Sequence, residues 1–157
     1  MRRVLVGGIS GAGKSTLARV LARRLQAPYV ELDALHHGPG WVRRPSFEAD
    51  VDHFSAARDW VTAEQYQRFL GDLLWTRADS LVWPDLPRPV VMQRVIGRSL
   101  ARVLDRRELW NGNREDLRAW LDPGHPIRWV WSRYDERRAE YAARLADFDG
   151  RISRWYT

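Results

Sequence analysis

Phosphate binding is the chemistry best supported by the residues near the start of the chain, Gly8-Ile9-Ser10-Gly11-Ala12-Gly13-Lys14-Ser15. This segment matches the pattern G-x-x-x-x-G-K-[S/T] in full. Glycines allow backbone conformations closed to other residues, so several N–H groups can converge on phosphate oxygens. The predicted phosphate contacts are Gly8, Ser10, Gly11, Ala12, Gly13, Lys14, Ser15 and, as a weaker candidate, Thr16.

Within this segment, Lys14 would reach the β- and γ-phosphates, and the Ser15 hydroxyl would hold Mg²⁺. The motif therefore predicts ATP and Mg²⁺ as ligands. Residues 4–6 form an apolar run of buried-strand type, and residues 14–26 carry apolar groups at helical spacing. A helix starting near Lys14 would direct its positive end at the phosphates. A chance glycine-rich turn is the alternative, but such a turn would need neither the strand before it nor the helix after it.

Arginine replaces lysine almost everywhere in this chain. Of 26 basic residues only Lys14 is a lysine, and the formal net charge is +6. An arginine-favouring composition explains this balance, and a surface that attracts phosphates or nucleic acid is the alternative. In both cases position 14 needs a compact ammonium group, because a planar guanidinium is too broad for a tight backbone nest.

The remaining composition limits the class of protein. A chain of 157 residues predicts one domain spanning residues 1–157. The absence of cysteine excludes disulfides, thiolate catalysis and cysteine-ligated zinc. We see no apolar stretch of about 20 residues and no signal peptide, so we expect a cytoplasmic protein without membrane spans. Oligomeric state is not predictable from these features.

Hydrophobic periodicity predicts an alternation of strands and helices typical of a parallel sheet. Strands are expected at residues 4–6, 29–32, 60–62, 80–83 and 152–156. Helices are expected at residues 14–26, 47–58 (with Ser46 as N-cap), 66–74, 90–105 and 127–147. Residues 106–126 are polar and irregular except for a short helical piece at about 114–121. The predicted class is α/β, a three-layer α/β/α fold with a parallel sheet.

Residues 14–28 and 32–36 resemble small nucleotide and metabolite kinases of the adenylate kinase or shikimate kinase type. Residues 32–35, 38–42, 86–88 and 108–115 are most similar to adenylate-kinase-related proteins described as topology-modulation or FlaR-type. This resemblance implies a P-loop NTPase fold like that of nucleoside monophosphate kinases, with residues 106–126 as a short helical lid. It also implies an ATP- and Mg²⁺-dependent kinase acting on a nucleotide or another small molecule.

Asp33 follows the second predicted strand, where ligands bind in open α/β sheets. In shikimate-kinase-like enzymes an aspartate at this place accepts the proton of the substrate hydroxyl or organises magnesium-bound water. A capping or loop carboxylate is the alternative. His36 and His37 come next; they are candidates for substrate contact, or they are simply solvated. Trp41 and Trp60 are candidates for stacking on a planar substrate.

Arg94, Arg98 and Arg102 are spaced four residues apart, so they share one face of the predicted helix, and Arg106 continues the row. The resemblance to the segment entering an adenylate kinase lid implies that Arg94 lies against the base and Arg98 touches phosphate. Positive charge there would stabilise phosphoryl transfer. A solvated arginine face is the alternative. Three later arginines could also take part when the predicted lid closes over the phosphates, and the sequence does not rank them: Arg133, Arg137 and Arg138.

The main departure from the family lies after the third predicted strand. Where the family has Asp-Gly-Asn-Tyr, this chain has Ala63-Glu64-Gln65-Tyr66. The family aspartate supports the magnesium shell, so Ala63 leaves that role to Glu64 or Asp33. Weak catalysis, an unusual substrate and a nucleotide-binding switch without turnover are the alternatives. The last predicted strand also leaves little chain for holding the nucleotide base.

A nucleic-acid-binding ATPase or DNA-topology factor is the rival from another functional class, although no nucleic-acid-binding motif is recognisable. The kinase interpretation predicts phosphoryl transfer to a metabolite without DNA, and only weak DNA binding. A salt-titrated DNA-binding assay distinguishes the two. Tight binding with a steep salt dependence would favour the rival.

Overall fold

The computed structural model describes residues 2–104 and 126–155. Its described strands form one five-stranded sheet in the order β2-β3-β1-β4-β5, and every neighbouring pair is parallel. The strands are β1 (Arg3–Val6), β2 (Tyr29–Val30), β3 (Trp60–Ala63), β4 (Ser80–Pro84) and β5 (Arg151–Trp155). The helices are α1 (Lys14–Leu25), α2 (Leu32–His36), α3 (Phe47–Ser55), α4 (Gln67–Leu70), α5 (Leu73–Arg77), α6 (Arg88–Leu104) and α7 (Pro126–Ala146).

The alternation of side chains along β1 shows why helices cover both faces of the sheet. Val4 and Val6 are fully buried in a cluster with Ala18 of α1. Leu5 points to the opposite face and packs in a larger cluster with residues of α3 and α7, including Phe47. Because successive strand residues face opposite sides, both faces of this strand need an apolar covering layer. The result is the predicted three-layer α/β/α arrangement.

A third apolar cluster joins the loop after β1 to two helices. Ile9 and Ala12 of the loop pack with Val91 and Val95 of α6 and with Val130 of α7. The loop is therefore fixed by packing against α6 and α7. No helix among the described residues is long and apolar enough to cross a membrane.

Two predicted elements differ from the structure near the carboxyl edge. The strand expected at 29–32 ends at Val30, and a helical turn begins at Leu32, whose side chain packs in the core. The helix expected at 66–74 is two short helices, interrupted at Gly71, whose φ of 52° and ψ of −129° are incompatible with a helix. Ser46 is the N-cap residue of α3 as predicted, but its hydroxyl donates to Asp50 and accepts no hydrogen bond from a backbone N–H of the first turn.

Smaller differences concern helix ends and one tryptophan. The helix expected at 47–58 ends at Ser55, α6 begins at residue 88, and β5 begins at residue 151. The proposed stacking role of Trp60 is wrong, because this residue is 1% exposed and its indole N–H donates to the Ser55 carbonyl. The predicted lid lies outside the described residues except for its last residue, which starts α7, so the lid stays a prediction.

Asp85 ties the C-terminal half of the chain to the sheet. Its side chain lies directly after β4 and accepts hydrogen bonds from Arg138 of α7 at 2.8 and 2.9 Å and from Arg154 of β5 at 2.7 Å. Burial raises the pKa of Asp85, but the bonds from the two guanidinium groups outweigh burial, and the net pKa lies below its ordinary value. The ionised form therefore stabilises the fold above pH 4, and this contribution is lost as the pH falls through the lowered pKa.

We expect Asp85→Ala to lower the free energy of unfolding by about 2 kcal/mol, because it removes charge-assisted bonds to two guanidinium groups. Denaturant titration at pH 7 measures this change. Asp135→Ala is the matched control, since Asp135 is 83% exposed and lies 3.6 Å from its partner Arg88. Equal stability losses in the two variants would contradict the anchoring role of Asp85.

Candidate phosphate-transfer site

The glycine loop between β1 and α1 has the backbone conformation that its sequence predicts. Gly8, Gly11 and Gly13 all have positive φ, at 120°, 86° and 88°. A Cβ atom at Gly11 would overlap Val95 and lie 2.9 Å from the Val91 carbonyl oxygen. Glycine is therefore required here both by conformation and by the close approach of α6.

The loop presents N–H groups suited to an anion. Within the described residues, the N–H groups of Ser10, Gly11 and Gly13 donate to no other protein group. Gly13 directly precedes the first residue of α1, so the positive end of this helix adjoins the same loop. Unpaired donors beside a helix N-terminus fit a phosphate group.

The Lys14 side chain turns back toward the start of the loop, where its Nζ donates to the Gly8 carbonyl at 2.6 Å. Burial lowers the pKa of Lys14 to about 8; the Glu64 carboxylate opposes this shift, Arg98 adds to it, and Asp33 opposes it. The ammonium group is thus costly to keep charged in the free protein. A bound triphosphate would stabilise its charged form.

Two of the predicted α6 arginines lie against the loop. Arg98 donates from Nη2 to the Ser10 hydroxyl at 3.2 Å. Arg94 places Nη1 3.5 Å from where a Cβ of Gly13 would be. These arginines, the loop and α1 residues Thr16, Leu17 and Val20 line a cavity of about 540 Å³. The side chain of Arg102 lies outside the described part of the structure, as does Arg106, so their roles stay predictions.

Glu64, which follows β3 directly, brings a buried carboxylate to the loop. This residue is 5% exposed and accepts a hydrogen bond from the Tyr141 hydroxyl of α7. The same tyrosine is hydrogen-bonded to the backbone of Gly8. Ala63 is the last residue of β3 and is buried beside Val6. Glu64 and Asp33 are the two carboxylates that could replace the family aspartate. Glu64 directly follows the position of that aspartate, and Tyr141 connects it to the backbone of Gly8 in the loop.

Asp33 lies on α2, at the same edge of the sheet, and is held by two side chains from the segment after β3. The Tyr66 hydroxyl donates to Asp33 Oδ1 at 2.5 Å, and Gln65 Nε2 donates to Oδ2 at 3.4 Å. His37 Nε2 lies 3.0 Å from the same hydroxyl. His36 is 8% exposed and stacks on the Tyr66 ring at 3.9 Å, so the solvated alternative is wrong for His36.

A second cavity, of about 700 Å³, opens on the other side of the loop. Gly8, Ser10 and Lys14 line it together with residues that follow β3 and residues of α7. Of the three later arginines, only Arg137 lines this cavity. Arg133 pairs with Glu136, and Arg138 bonds Asp85.

Sequence reasoning missed several residues of this region, among them Gln65, Tyr66, Trp129 and Tyr141. Tyr66 and Gln65 were noted only as part of the altered family motif. Trp129 and Tyr141 come from α7, far along the chain, and only the fold brings them to the loop. Trp41 is 42% exposed and lies edge-on to the His37 ring at 5.0 Å.

Comparisons with known proteins support the fold. No protein-family model matches the chain, and no curated protein matches it. A solved shikimate kinase from Bacteroides thetaiotaomicron is similar over 91% of this chain and 82% of that chain, with 15% identity and a TM-score of 0.55. A gluconokinase from Sinorhizobium meliloti 1021 matches 62% of this chain at 25% identity and a TM-score of 0.45, and this chain spans 65% of its length. A shikimate kinase from Aquifex aeolicus has 16% identity and a TM-score of 0.46.

The shikimate kinase likeness confirms the predicted fold class, a three-layer α/β/α P-loop NTPase fold with a parallel sheet. All three neighbours are kinases by name. The narrower resemblance to the topology-modulation group has no match among these comparisons and stays a prediction.

We expect ATP binding to weaken as the pH rises above about 8, the pKa of Lys14 in the free protein. A bound phosphate raises that pKa, so between the two pKa values binding takes up a proton, and the affinity falls by up to about tenfold per pH unit. Calorimetric titration with Mg²⁺ and ATP from pH 7.5 to 9.5 measures both the affinity and the proton uptake.

The matched variant is Lys14→Arg, because a guanidinium group stays charged throughout this range. We expect weaker ATP binding in this variant and no pH dependence from position 14. An affinity that stays constant up to pH 9.5 in the unmodified protein would contradict the assignment of Lys14 as the phosphate ligand.

Proposed function

We propose that this protein is an ATP- and Mg²⁺-dependent kinase that transfers the γ-phosphoryl group of ATP to a hydroxyl group of a small molecule. The observation that carries this proposal is that one glycine loop lines two cavities. Gly11, Ala12 and Gly13 line the cavity beside α1 and α6, whereas Gly8, Ser10 and Lys14 line the cavity beside α7. A nucleotide switch needs only the first cavity, while a kinase needs a second for its acceptor.

The loop and α6 supply the positive charge that phosphoryl transfer requires. The loop N–H groups and Lys14 would bind the β- and γ-phosphates, and Arg98 would approach the phosphates from the Ser10 side. Arg94 would lie along the nucleotide beside α1. Such preorganised charges act where water is excluded, and one of them typically contributes a factor of about 10² to 10³ in rate.

Ser15 is the residue that would hold Mg²⁺, with phosphate oxygens and water completing the octahedral shell. Within the described residues no group of three acidic or histidine side chains is placed to hold a metal. This fits a metal that arrives with the triphosphate. When bound, magnesium supplies charge neutralisation at the β- and γ-phosphates. Glu64 would accept hydrogen bonds from metal-bound water, in place of the family aspartate.

Asp33 would orient the acceptor hydroxyl and accept its proton. Its electrostatic influence on Lys14 supports a position close to the transferred group. The hydrogen bonds from Tyr66 and Gln65 hold its carboxylate in one orientation. Since a correctly placed carboxylate base contributes about 10² or more in rate, this fixed geometry supports catalysis rather than binding alone.

The lining of the second cavity supports an acceptor that is anionic or planar, such as a nucleotide. Arg43 and Arg68 both lie over the Phe69 ring, at 4.6 Å from its centroid. Trp129 and Arg137 line the same space from α7. Guanidinium groups beside aromatic faces recognise phosphate or carboxylate together with a flat ring.

A screen of a metabolite pool with ATP and Mg²⁺ tests this function. We expect the unmodified protein to produce one phosphorylated product and ADP, and Lys14→Ala to produce neither. Asp33→Asn should lower kcat by about 100-fold with little change in the KM for ATP, because it removes the base and leaves the loop intact.

Asp135→Asn is the control for this screen, since it changes an exposed carboxylate of α7. Identical product profiles for the unmodified protein and Lys14→Ala would rule out the kinase assignment.

A further inference from the structure

The side chains behind Asp33 form a chain of contacts that the proposed phosphoryl transfer does not itself require. The Tyr66 hydroxyl lies 2.5 Å from Asp33 Oδ1 and 3.0 Å from His37 Nε2, so it bridges the two residues. Asp33 and His37 lie one helical turn apart, and the His37 backbone N–H donates to the Asp33 carbonyl at 3.0 Å. One phenol thus connects the carboxylate of the proposed site to the imidazole of the residue that directly follows the same short helix.

Packing holds this phenol in an unusual position. Tyr66 has a left-handed backbone conformation, with φ 58° and ψ 29°, which is rare for an aromatic residue. Its ring is stacked on His36 with an angle of 10° between the planes, and the Phe47 ring contacts it edge-on. Strained residues of this kind concentrate at functional sites, where surrounding contacts hold them in place.

Tyr66 and His37 differ in the direction of their pKa shifts. Burial, with the nearby Asp33 carboxylate, raises the pKa of Tyr66 far above its ordinary value. This hydroxyl is therefore always protonated near pH 7, and it can pass a proton on only by receiving another at the same time. Burial lowers the pKa of His37, although Asp33 and a hydrogen bond to the Trp41 backbone oppose the shift. His37 is therefore mainly neutral and able to accept a proton.

We propose that His37 receives, through Tyr66, the proton that Asp33 removes from the acceptor hydroxyl. This inference rests on the proposed kinase function. As the acceptor oxygen bonds to the γ-phosphorus and the bond to ADP breaks, the acceptor O–H bond breaks and an O–H bond forms on Asp33. Protonated Asp33 then becomes the hydrogen-bond donor to the Tyr66 oxygen, and the Tyr66 hydroxyl, which donated to Asp33 before the reaction, turns its hydrogen toward His37 Nε2. The Asp33 proton moves to the Tyr66 oxygen, while the original Tyr66 proton moves to His37 Nε2. One proton has moved in total, and both Asp33 and Tyr66 return to their starting forms.

This transfer solves a problem of turnover, because each phosphoryl transfer to a hydroxyl group leaves one proton in the site. A protonated Asp33 could not act again until that proton left. His37 is partly exposed, so it can release the proton to water directly, and the proton need not pass back through the phosphate site.

The charged and titratable groups around His37 are compatible with a transient imidazolium. Asp33 faces it from α2, which ends directly before His37, and Tyr66 faces it from the segment after β3. Arg43, whose backbone is paired with that of His37, has its guanidinium group bound to Glu48 at 2.8 Å. Burial lowers the pKa of the adjacent His36, and the charge of His37 lowers it further, so the two rings do not carry charge together.

A purely structural role for Tyr66 makes a different prediction. For that role the hydroxyl needs only to donate to Asp33, and His37 can donate its own Nε2–H to the Tyr66 oxygen. Proton transfer requires the opposite tautomer, in which Nδ1 carries the proton and Nε2 is the acceptor. The tautomer of neutral His37 therefore distinguishes the two roles.

Nitrogen-15 NMR of the whole protein with labelled histidine measures this tautomer without nucleotide or acceptor. The His37 signals are assigned by their loss in His37→Gln. We expect neutral His37 to carry its proton on Nδ1, and its pKa to lie below the ordinary histidine value. Asp33→Asn should lower this pKa further, because it removes a carboxylate that raises it. A neutral form protonated on Nε2, or a His37 pKa unaffected by Asp33→Asn, would overturn the proposal.

Kinetics give a second, independent test, with hydrolysis of Mg²⁺-bound ATP as the probe and water in place of the acceptor. We expect Tyr66→Phe and His37→Gln each to lower kcat by about tenfold or more, with the KM for ATP changed less than about twofold. In the unmodified protein kcat should fall as the pH drops through the His37 pKa, since protonated His37 cannot accept a proton. This limb should vanish in His37→Gln.

Two variants serve as matched controls. Tyr134→Phe removes another buried tyrosine hydroxyl, which donates to the Leu86 carbonyl at 2.6 Å, and His53→Gln changes an exposed histidine of α3. An equal loss of kcat in Tyr134→Phe and Tyr66→Phe would overturn the proposal, as would an acid limb retained in His37→Gln. Because the NMR measurement needs no turnover, failure of the kinase assignment and failure of the proton path give different results.

Discussion

The ammonium group of Lys14 is partly buried beside a glycine loop, and burial makes its charged form less stable. The other groups of the site surround this ammonium group. Its own hydrogen bond goes to the Gly8 carbonyl, which is neutral. Burial lowers its pKa to about 8, so the free protein only partly stabilises the charge. A phosphate group is the partner that would restore the charge. The loop therefore has the electrostatic character of an anion-binding site.

The fold brings the necessary groups to Lys14 from separate parts of the chain. β1 and α1 position the loop, α6 closes against Gly11, and the residue after β3 supplies the Glu64 carboxylate. α7 then reaches back from the far end of the chain, where Tyr141 bonds Glu64 and lies against Gly7, leaving no room for a Cβ atom there. Because these elements share one edge of a parallel sheet, a small chain can build two cavities around one loop.

The sequence predicted the features that depend on local pattern. The loop motif, β1, α1 and the alternation of elements follow from periodicity and glycine spacing, and the structure agrees with them. The helical turn at Leu32 was not predictable, because a short apolar segment suits a strand and a helix equally well, and Leu32 packs in a core built by distant residues. The same limit applies to Tyr66, whose left-handed backbone is stabilised by His36 and Phe47 rather than by its neighbours in sequence.

The altered family motif shows how structure changes the meaning of a sequence difference. Ala63 suggested a weakened metal site, since it replaces an aspartate. In the structure Ala63 is a buried strand residue, and Glu64 supplies a carboxylate one position later, hydrogen-bonded to Tyr141. The sequence could name Glu64 as one of two alternatives, but the partner that orients it comes from α7 and could not be identified from spacing.

The most direct test of this account uses the fact that the chain has a single lysine. Nitrogen-15 labelling of lysine side chains gives one Nζ signal, which reports the charge of Lys14 alone. The account predicts titration near pH 8 in the free protein and a rise of at least about one pH unit when Mg²⁺ and ATP are added. A signal that titrates near 10.5, the ordinary lysine value, and does not respond to ATP would contradict it.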